Sequence, residues 1–344
     1  MTNPNHPFLA ACRREKTSYT PVWLMRQAGR YMPEYRKLRA EFSFLDLCKR
    51  PDLAAEITVT PVDRLGVDAA ILFADILLIL EPMGLGLAYS KDDGPVIDAH
   101  IRSRTDVEQL QEFEPEEALS YVMEAVRRSR AALGGKVPLI GFSGAPFTLA
   151  SYIIERGGSR NYLLTKKLIY SDPGAWRALM ERLSTAVGKY LNAQIAAGAD
   201  AVQLFDSWAG CLSPDDYQKY VLPYTRATIA AITPGTPVIH FSTGTGGMLK
   251  LVKEAGGDVI GLDWRIHLDE GWAAVGRDVG IQGNLDPAAL LAKPKEIRWR
   301  VEDILKRAAG RPGHIFNLGH GVFPETPVEH AIAMVQAVHE VSSR

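Results

Sequence analysis

Eight short runs of apolar residues, rich in β-branched and aromatic side chains, punctuate the chain. They are PVWLM (21–25), DAAILF (68–73), VPLIGFS (137–143), AVQLFDS (201–207), TPVIHFS (236–242), DVIGLDW (258–264), VGIQGN (279–284) and HIFNLG (314–319). Segments with helical periodicity lie between them, such as 174–198 and 248–257, and Ser213-Pro214 and Asp286-Pro287 supply helix-start signals. Strands alternating with helices predict parallel βαβ units buried on both faces. Eight such units in 344 residues predict an α/β fold of the (β/α)8, or TIM, barrel kind. The barrel would occupy 1–344 as a single domain with a short N-terminal extension over 1–18. The long 84–136 and 144–200 connections would hold inserted helices or hairpins, and GLGLAYS followed by DGPVI (93–97) predicts one small hairpin.

An open doubly wound sheet is the alternative. No strand leads into GxGxxG at the start of a helix, and GxxxxGK[ST] is absent. The glycine-rich STGTGG around Gly244–Gly247 leaves two readings, a phosphate cradle or a tight strand-to-helix turn.

Barrel enzymes place their chemistry at the C-terminal ends of the strands. Those ends carry Arg26, Asp75, Ser143, Asp206 with Ser207, His240 with Ser242, Asp263, Gln282 with Asn284, and Asn317 with His320. Asp75 stands out because AAILFADILLILEPMG surrounds one carboxylate with apolar residues, and a buried carboxylate is costly unless something faces it. Arg26 and Arg30 directly follow the first run and flank Gly29. A helical turn would set both guanidiniums on one face, suited to a carboxylate or phosphate. Arg36, Lys37 and Arg39 read as a solvated face. Tyr152 is either a core aromatic or a hydroxyl at the mouth. His320, between two glycines, is either a structural hydrogen-bonding residue or a ligand contact with room for close backbone approach.

Composition narrows the function. A 47% hydrophobic, 23% charged chain with formal net charge −1 has no global field favouring nucleic acid or an anionic membrane, so neither is expected as a partner. The longest nearly apolar run, 69–80, is too short for a membrane span, and no secretory h-region is read. Cys12, Cys48 and Cys211 form no metal-ligand spacing and read as reduced thiols of a soluble cytoplasmic protein.

Five ordered segments, PVWLMRQAGRYMPEYR, FADIL, GFSGAPFTLASYIIE, FDSWAG and FNLGHGVFPETP, resemble the uroporphyrinogen decarboxylase family of haem biosynthesis, in its bacterial form, from about Pro21 to the C-terminus. The resemblance implies a (β/α)8 barrel, a homodimer, no metal or organic cofactor, and removal of the four acetate carboxyls of uroporphyrinogen III to give coproporphyrinogen III and carbon dioxide. It places substrate contacts on Arg26, Gln27, Ala28, Gly29 and Arg30 of RQAGR, on Phe44, and on Asp75, Tyr152, Ser207 and His320, with Ile71 and Phe205 as apolar pocket positions. It implies catalytic roles for Asp75, Arg26, Tyr152 and His320, with Arg26 as candidate proton donor, although arginine's very high pKa makes it a poor general acid. Two other readings remain. One is a zinc-dependent corrinoid or thiol methyltransferase of the same barrel superfamily, against which HFS at 240–242 lacks the HxC-type motif. The other is a tetrapyrrole-binding protein without the chemistry.

Overall fold

Seven parallel strands form one curled sheet in the computed structural model, which describes residues 3–90, 94–98 and 101–343. The strands in chain order are β1 (Ala70–Ile71), the hairpin pair β2 (Gly86–Ser90) and β3 (Gly94–Asp98), β4 (Leu139–Gly144), β5 (Ala201–Asp206), β6 (Val238–Ser242), β7 (Val259–Gly261), β8 (Gly280–Gln282) and β9 (His314–Ile315). The sheet order is β1-β4-β5-β6-β7-β8-β9, and every neighbouring pair is parallel. Helices cover its outer face. The longest, Pro173–Ala197, starts where Asp172 accepts the Ala175 N–H and Pro173 takes a position that needs no donor. It turns Trp176, Leu183, Val187 and Tyr190 onto the sheet.

The first apolar run departs from its predicted strand. It makes one parallel bridge, Val22 to Phe316, while its carbonyl at Val22 accepts the Asp68 N–H, so it sits between β9 and β1. Side chains take the N–H groups that a ladder would use. Val22 donates to Asp68 Oδ2 (2.7 Å), Leu24 to Gln27 Oε1 (3.1 Å) and Met25 to Asn317 Oδ1 (3.2 Å). The architecture is therefore a TIM-barrel-like curled sheet of seven strands with a single bridge in the eighth place.

Both predicted insertions carry structure of their own. The first holds the β2–β3 hairpin, in register from Gly86↔Asp98 to Ser90↔Gly94, and the second holds helices Pro146–Glu155 and Leu163–Ser171 ahead of the long helix. Asp93 of the expected DGPVI strand lies outside the described residues, as do Met1, Thr2 and Arg344 at the termini. Within the expected 1–18 extension, helix Pro7–Cys12 buries Phe8 and Leu9. The expected helix from Ser213 breaks at Val221, two residues before Pro223, into Pro214–Tyr220 and Leu222–Ala230. Asp286-Pro287 opens a 3-10 turn, Pro287–Leu291.

Two polar devices fix the sheet. Inside it, Trp23 Nε1 donates to Gln282 Oε1 (2.9 Å) and Gln282 Nε2 to Gln203 Oε1 (3.0 Å), linking three buried side chains. At the opposite end from the strand C-termini, Asp68 accepts from Tyr19, Val22 N and His339, which ties the terminal helix Val328–Ser342 to the first run. Among the described residues no helix is long and apolar enough to cross a membrane.

Candidate active site

The loop after the first run presents the two arginines. The expected helical turn through them does not form. Arg26 takes a left-handed backbone conformation (φ +59), and the next helix begins only at Pro33. A left-handed residue cannot continue a right-handed turn. Both arginines are exposed. Gln27, between them, is fully buried. Its Oε1 accepts from Leu24 N and its Nε2 donates to the Ala69 carbonyl (3.1 Å), so its side chain holds the loop to β1 from below. Ala28 and Gly29 are half-buried, and a Cβ at Gly29 would press on the Arg26 carbonyl at 3.0 Å. Arg36, read as solvated, donates to the carbonyls of Arg30 and Tyr31 and braces the same loop.

Asp75 lies four residues past β1. The strand ends because the Phe73 N–H turns to Thr58 Oγ1, 2.8 Å away, and the chain then bends across the mouth. One carboxylate oxygen of Asp75 accepts the Leu77 N–H at 2.7 Å. Burial raises its pKa. The Leu77 N–H, the phenol of Tyr89 and the charge of Arg26 oppose that rise in decreasing order. An aromatic wall stands beside it. Phe44 meets Phe73 edge-on at 5.8 Å and Tyr89 at 4.8 Å, and Tyr35 meets Phe73 at 5.6 Å. Phe44 thus reaches the Asp75 side of the mouth. Ile71 on β1 and Phe205 on β5 are half-buried apolar positions, and Phe205 is flanked by Phe142 and Phe241 on the neighbouring strands.

Tyr152 rides the helix that follows β4, its ring 5.7 Å from Trp208. Burial and the charge of Asp75 push its pKa to about 12, against the opposing charge of Arg26, so the phenol keeps its proton. The same two charges therefore reach Tyr152 from across the mouth. Ser207 directly follows β5, half-buried, and its carbonyl accepts from Thr243 Oγ1.

His320 is half-buried and edge-on to Trp264 at 6.5 Å. Burial, then Arg26 and Arg265, pull its pKa down to about 4, leaving a neutral imidazole at physiological pH. Its glycine flanks admit protein rather than ligand. A Cβ at Gly319 would lie 2.4 Å from Trp264 N, and one at Gly321 would lie 2.4 Å from Arg26 Cδ.

Three of the remaining polar strand ends, Asp263, His240 and Ser242, bond within the fold. Asp263 accepts from Gly244 N (2.7 Å) and Arg265 N (3.0 Å), so the STGTGG amide that could have met a phosphate already meets a carboxylate, and the segment is a tight turn. His240 is fully buried with Nδ1 on the Gly256 carbonyl, and Ser242 bonds Thr245. Among the described residues no cluster of His, Cys, Asp or Glu could hold a metal ion. Tyr89 and Arg265 were not anticipated from the sequence. Leu87 and Tyr89 alternate on one face of the hairpin, which is the signal that could have turned Tyr89 inward.

Two arginines, a half-buried carboxylate, a protonated phenol and a neutral imidazole thus stand beside the strand C-termini and the aromatic side chains, an arrangement suited to a polyanion that carries N–H donors. The family model for uroporphyrinogen decarboxylase matches residues 3–341. A uroporphyrinogen decarboxylase of Carboxydothermus hydrogenoformans is 59% identical over 98% of this chain and 97% of its own, and one of Roseiflexus is 58% identical over 98% of each. Among solved structures, a methyltransferase from Methanosarcina mazei superposes with a TM-score of 0.79 over 99% of both chains at 20% identity, which shows the shared fold alone. The chain belongs to the uroporphyrinogen decarboxylase family.

Proposed function

We propose that this chain decarboxylates the four acetate side chains of uroporphyrinogen III, giving coproporphyrinogen III and carbon dioxide, with no cofactor. The observation that carries the reading is Asp75, a half-buried carboxylate beside the aromatic side chains at the strand ends that interacts electrostatically with Arg26 and Tyr152. Membership of the family supports it, and does not favour the zinc methyltransferase alternative.

Loss of carbon dioxide leaves an electron pair on carbon, and a pyrrole can receive it. A proton added to a ring carbon makes the ring an iminium-like cation. Cleavage of the C–CO2 bond returns the electrons to the ring as an exocyclic methylene. Protonation of that methylene and loss of the ring proton restore the pyrrole, so each acetate and one proton become a methyl group and carbon dioxide. Asp75 would accept the pyrrole N–H groups, each bond to the charged carboxylate contributing roughly 1.5–3 kcal/mol. Its fixed negative charge would then stabilise the ring cation, more strongly in the low-dielectric surroundings of Ile71, Phe73 and Phe44. Arg26 and Arg30 would hold acetate and propionate carboxylates, and Tyr152, Ser207 and neutral His320 would donate hydrogen bonds to others. Gln27 would act through the loop it anchors.

Closure of all eight staves into a (β/α)8 barrel over the whole chain, and pairing of two chains with their mouths facing, belong to the same reading. Three free thiols suit a reducing, cytoplasmic compartment. Incubation of the purified chain with uroporphyrinogen III under anaerobic, reducing conditions tests it. Hepta- through tetracarboxylate products should accumulate in turn, and an unchanged octacarboxylate would refute it.

A further inference from the structure

In the site as described Arg265 acts only through its charge on His320, yet its geometry is that of a binding residue. It follows β7, which stands four places along the sheet from β1, on the far side of the mouth from Asp75. Its Nη1 donates to Asp263 Oδ2 at 2.6 Å, and its guanidinium lies 4.1 Å over the Trp264 ring. Trp264 in turn abuts His320. Asp263 is no ordinary surface partner, because its side chain is 3% exposed and pinned by the Gly244 and Arg265 N–H groups. A pinned carboxylate and a stacked ring fix the guanidinium in advance, so little side-chain entropy remains to be lost on binding. The Arg265 side chain is still 56% exposed, and its Nε and Nη2 have no partner among the described residues. Arg26, His320 and Arg265 thus form a row of donors along one arc of the rim.

We propose that Arg265 is a further substrate-binding residue, gripping a propionate carboxylate on the part of the macrocycle remote from the reacting ring. The proposal rests on the substrate reading given above. Acetates disappear one by one, whereas every ring keeps its propionate. A remote contact to propionate therefore survives all four rounds and helps each intermediate rebind. Such a contact acts equally on bound substrate and transition state, so it appears in KM and not in kcat.

The test compares wild type, R265Q and R265K with uroporphyrinogen III. R265Q keeps a polar side chain but loses the charge and the guanidinium over Trp264. Its KM should rise roughly tenfold, the size of one charge-assisted hydrogen bond, with kcat within about twofold of wild type. R265K should fall between the two, and R265Q should release more hepta- to pentacarboxylate intermediates. A KM for R265Q within about twofold of wild type overturns the proposal. Should R265Q fail to fold, phenylglyoxal labelling of wild type decides. Uroporphyrin, the oxidised macrocycle with the same eight carboxylates, should protect Arg265, and equal labelling with and without it overturns the proposal. A wild type that leaves uroporphyrinogen III unchanged overturns the substrate reading and this proposal with it, whereas active wild type with unaltered R265Q overturns this proposal alone.

Discussion

The side chain of Arg26 lies across Gly321: a Cβ at that glycine would stand 2.4 Å from Arg26 Cδ and 2.7 Å from Cγ. The Val322 N–H donates to the Met25 carbonyl at 3.0 Å beside this contact. The first loop and the last are thus stitched together, and a missing side chain in one sets the direction of the arginine in the other.

Gly321→Ala should therefore act on Arg26 rather than on the backbone. Gly321 is outside the left-handed region, so alanine fits its chain conformation, and the methyl must displace the guanidinium stem. A misplaced group of this kind costs activity steeply, and kcat/KM should fall by about 10²-fold. Thermal unfolding should change little. Wild-type kinetics in this variant would show that the placement of Arg26 is immaterial.

Arg26 itself holds a backbone conformation that costs a non-glycine residue about 1–2 kcal/mol. Arg26→Gly should relieve that strain and Arg26→Ala should not, while both lose the guanidinium. Urea unfolding should find the glycine variant more stable than the alanine variant by about 1 kcal/mol, with turnover of uroporphyrinogen III strongly reduced in both. Equal stability of the two would contradict the strain.

Burial pulls His240, His314 and His320 from 6.5 to about 4. Between these values the unfolded chain takes up protons that the folded chain refuses. Their contribution to stability is present above about pH 6.5 and is lost as pH falls toward 4. Asp206 works the other way, since burial lifts it from 3.8 to about 7 and the folded state keeps its proton where the unfolded state has lost it. The raised Asp75 adds to that smaller, opposing side. Three histidines less one aspartate leave an uptake of up to about two protons on unfolding near pH 5. The urea midpoint should accordingly drop between pH 7 and pH 5, and a flat profile would mean that the histidines are not held neutral.

Seven of the eight apolar runs were legible as strands because β-branched runs buried on both faces leave few other choices. The run at 21–25 has the same composition, but Asp68, Gln27 and Asn317 capture its N–H groups, and such long-range side-chain acceptors leave no periodicity to read. The placement of the candidate residues at the strand ends was legible through their motifs. Their supports were not. The side chain of Gln27 is held by Leu24 N and the Ala69 carbonyl, partners that no motif in the sequence announces. The glycines around His320 suggested space for a ligand, and Arg26 and Trp264 fill that space instead. Arg265 gave no signal because its ordering depends on Asp263, a carboxylate whose own fixation comes from the turn at Gly244.

The account turns on the negative charge of Asp75, and Asp75→Asn tests it most directly. The amide keeps the size of the side chain and removes a desolvated charge, so the variant should fold with at least wild-type stability. Anaerobic incubation of both proteins with uroporphyrinogen III, followed by chromatographic separation of the octa- through tetracarboxylates, supplies the measurement. Wild type should run through to coproporphyrinogen III, while Asp75→Asn should leave nearly all of the octacarboxylate intact. Conversion by folded Asp75→Asn at a rate near wild type would contradict the account.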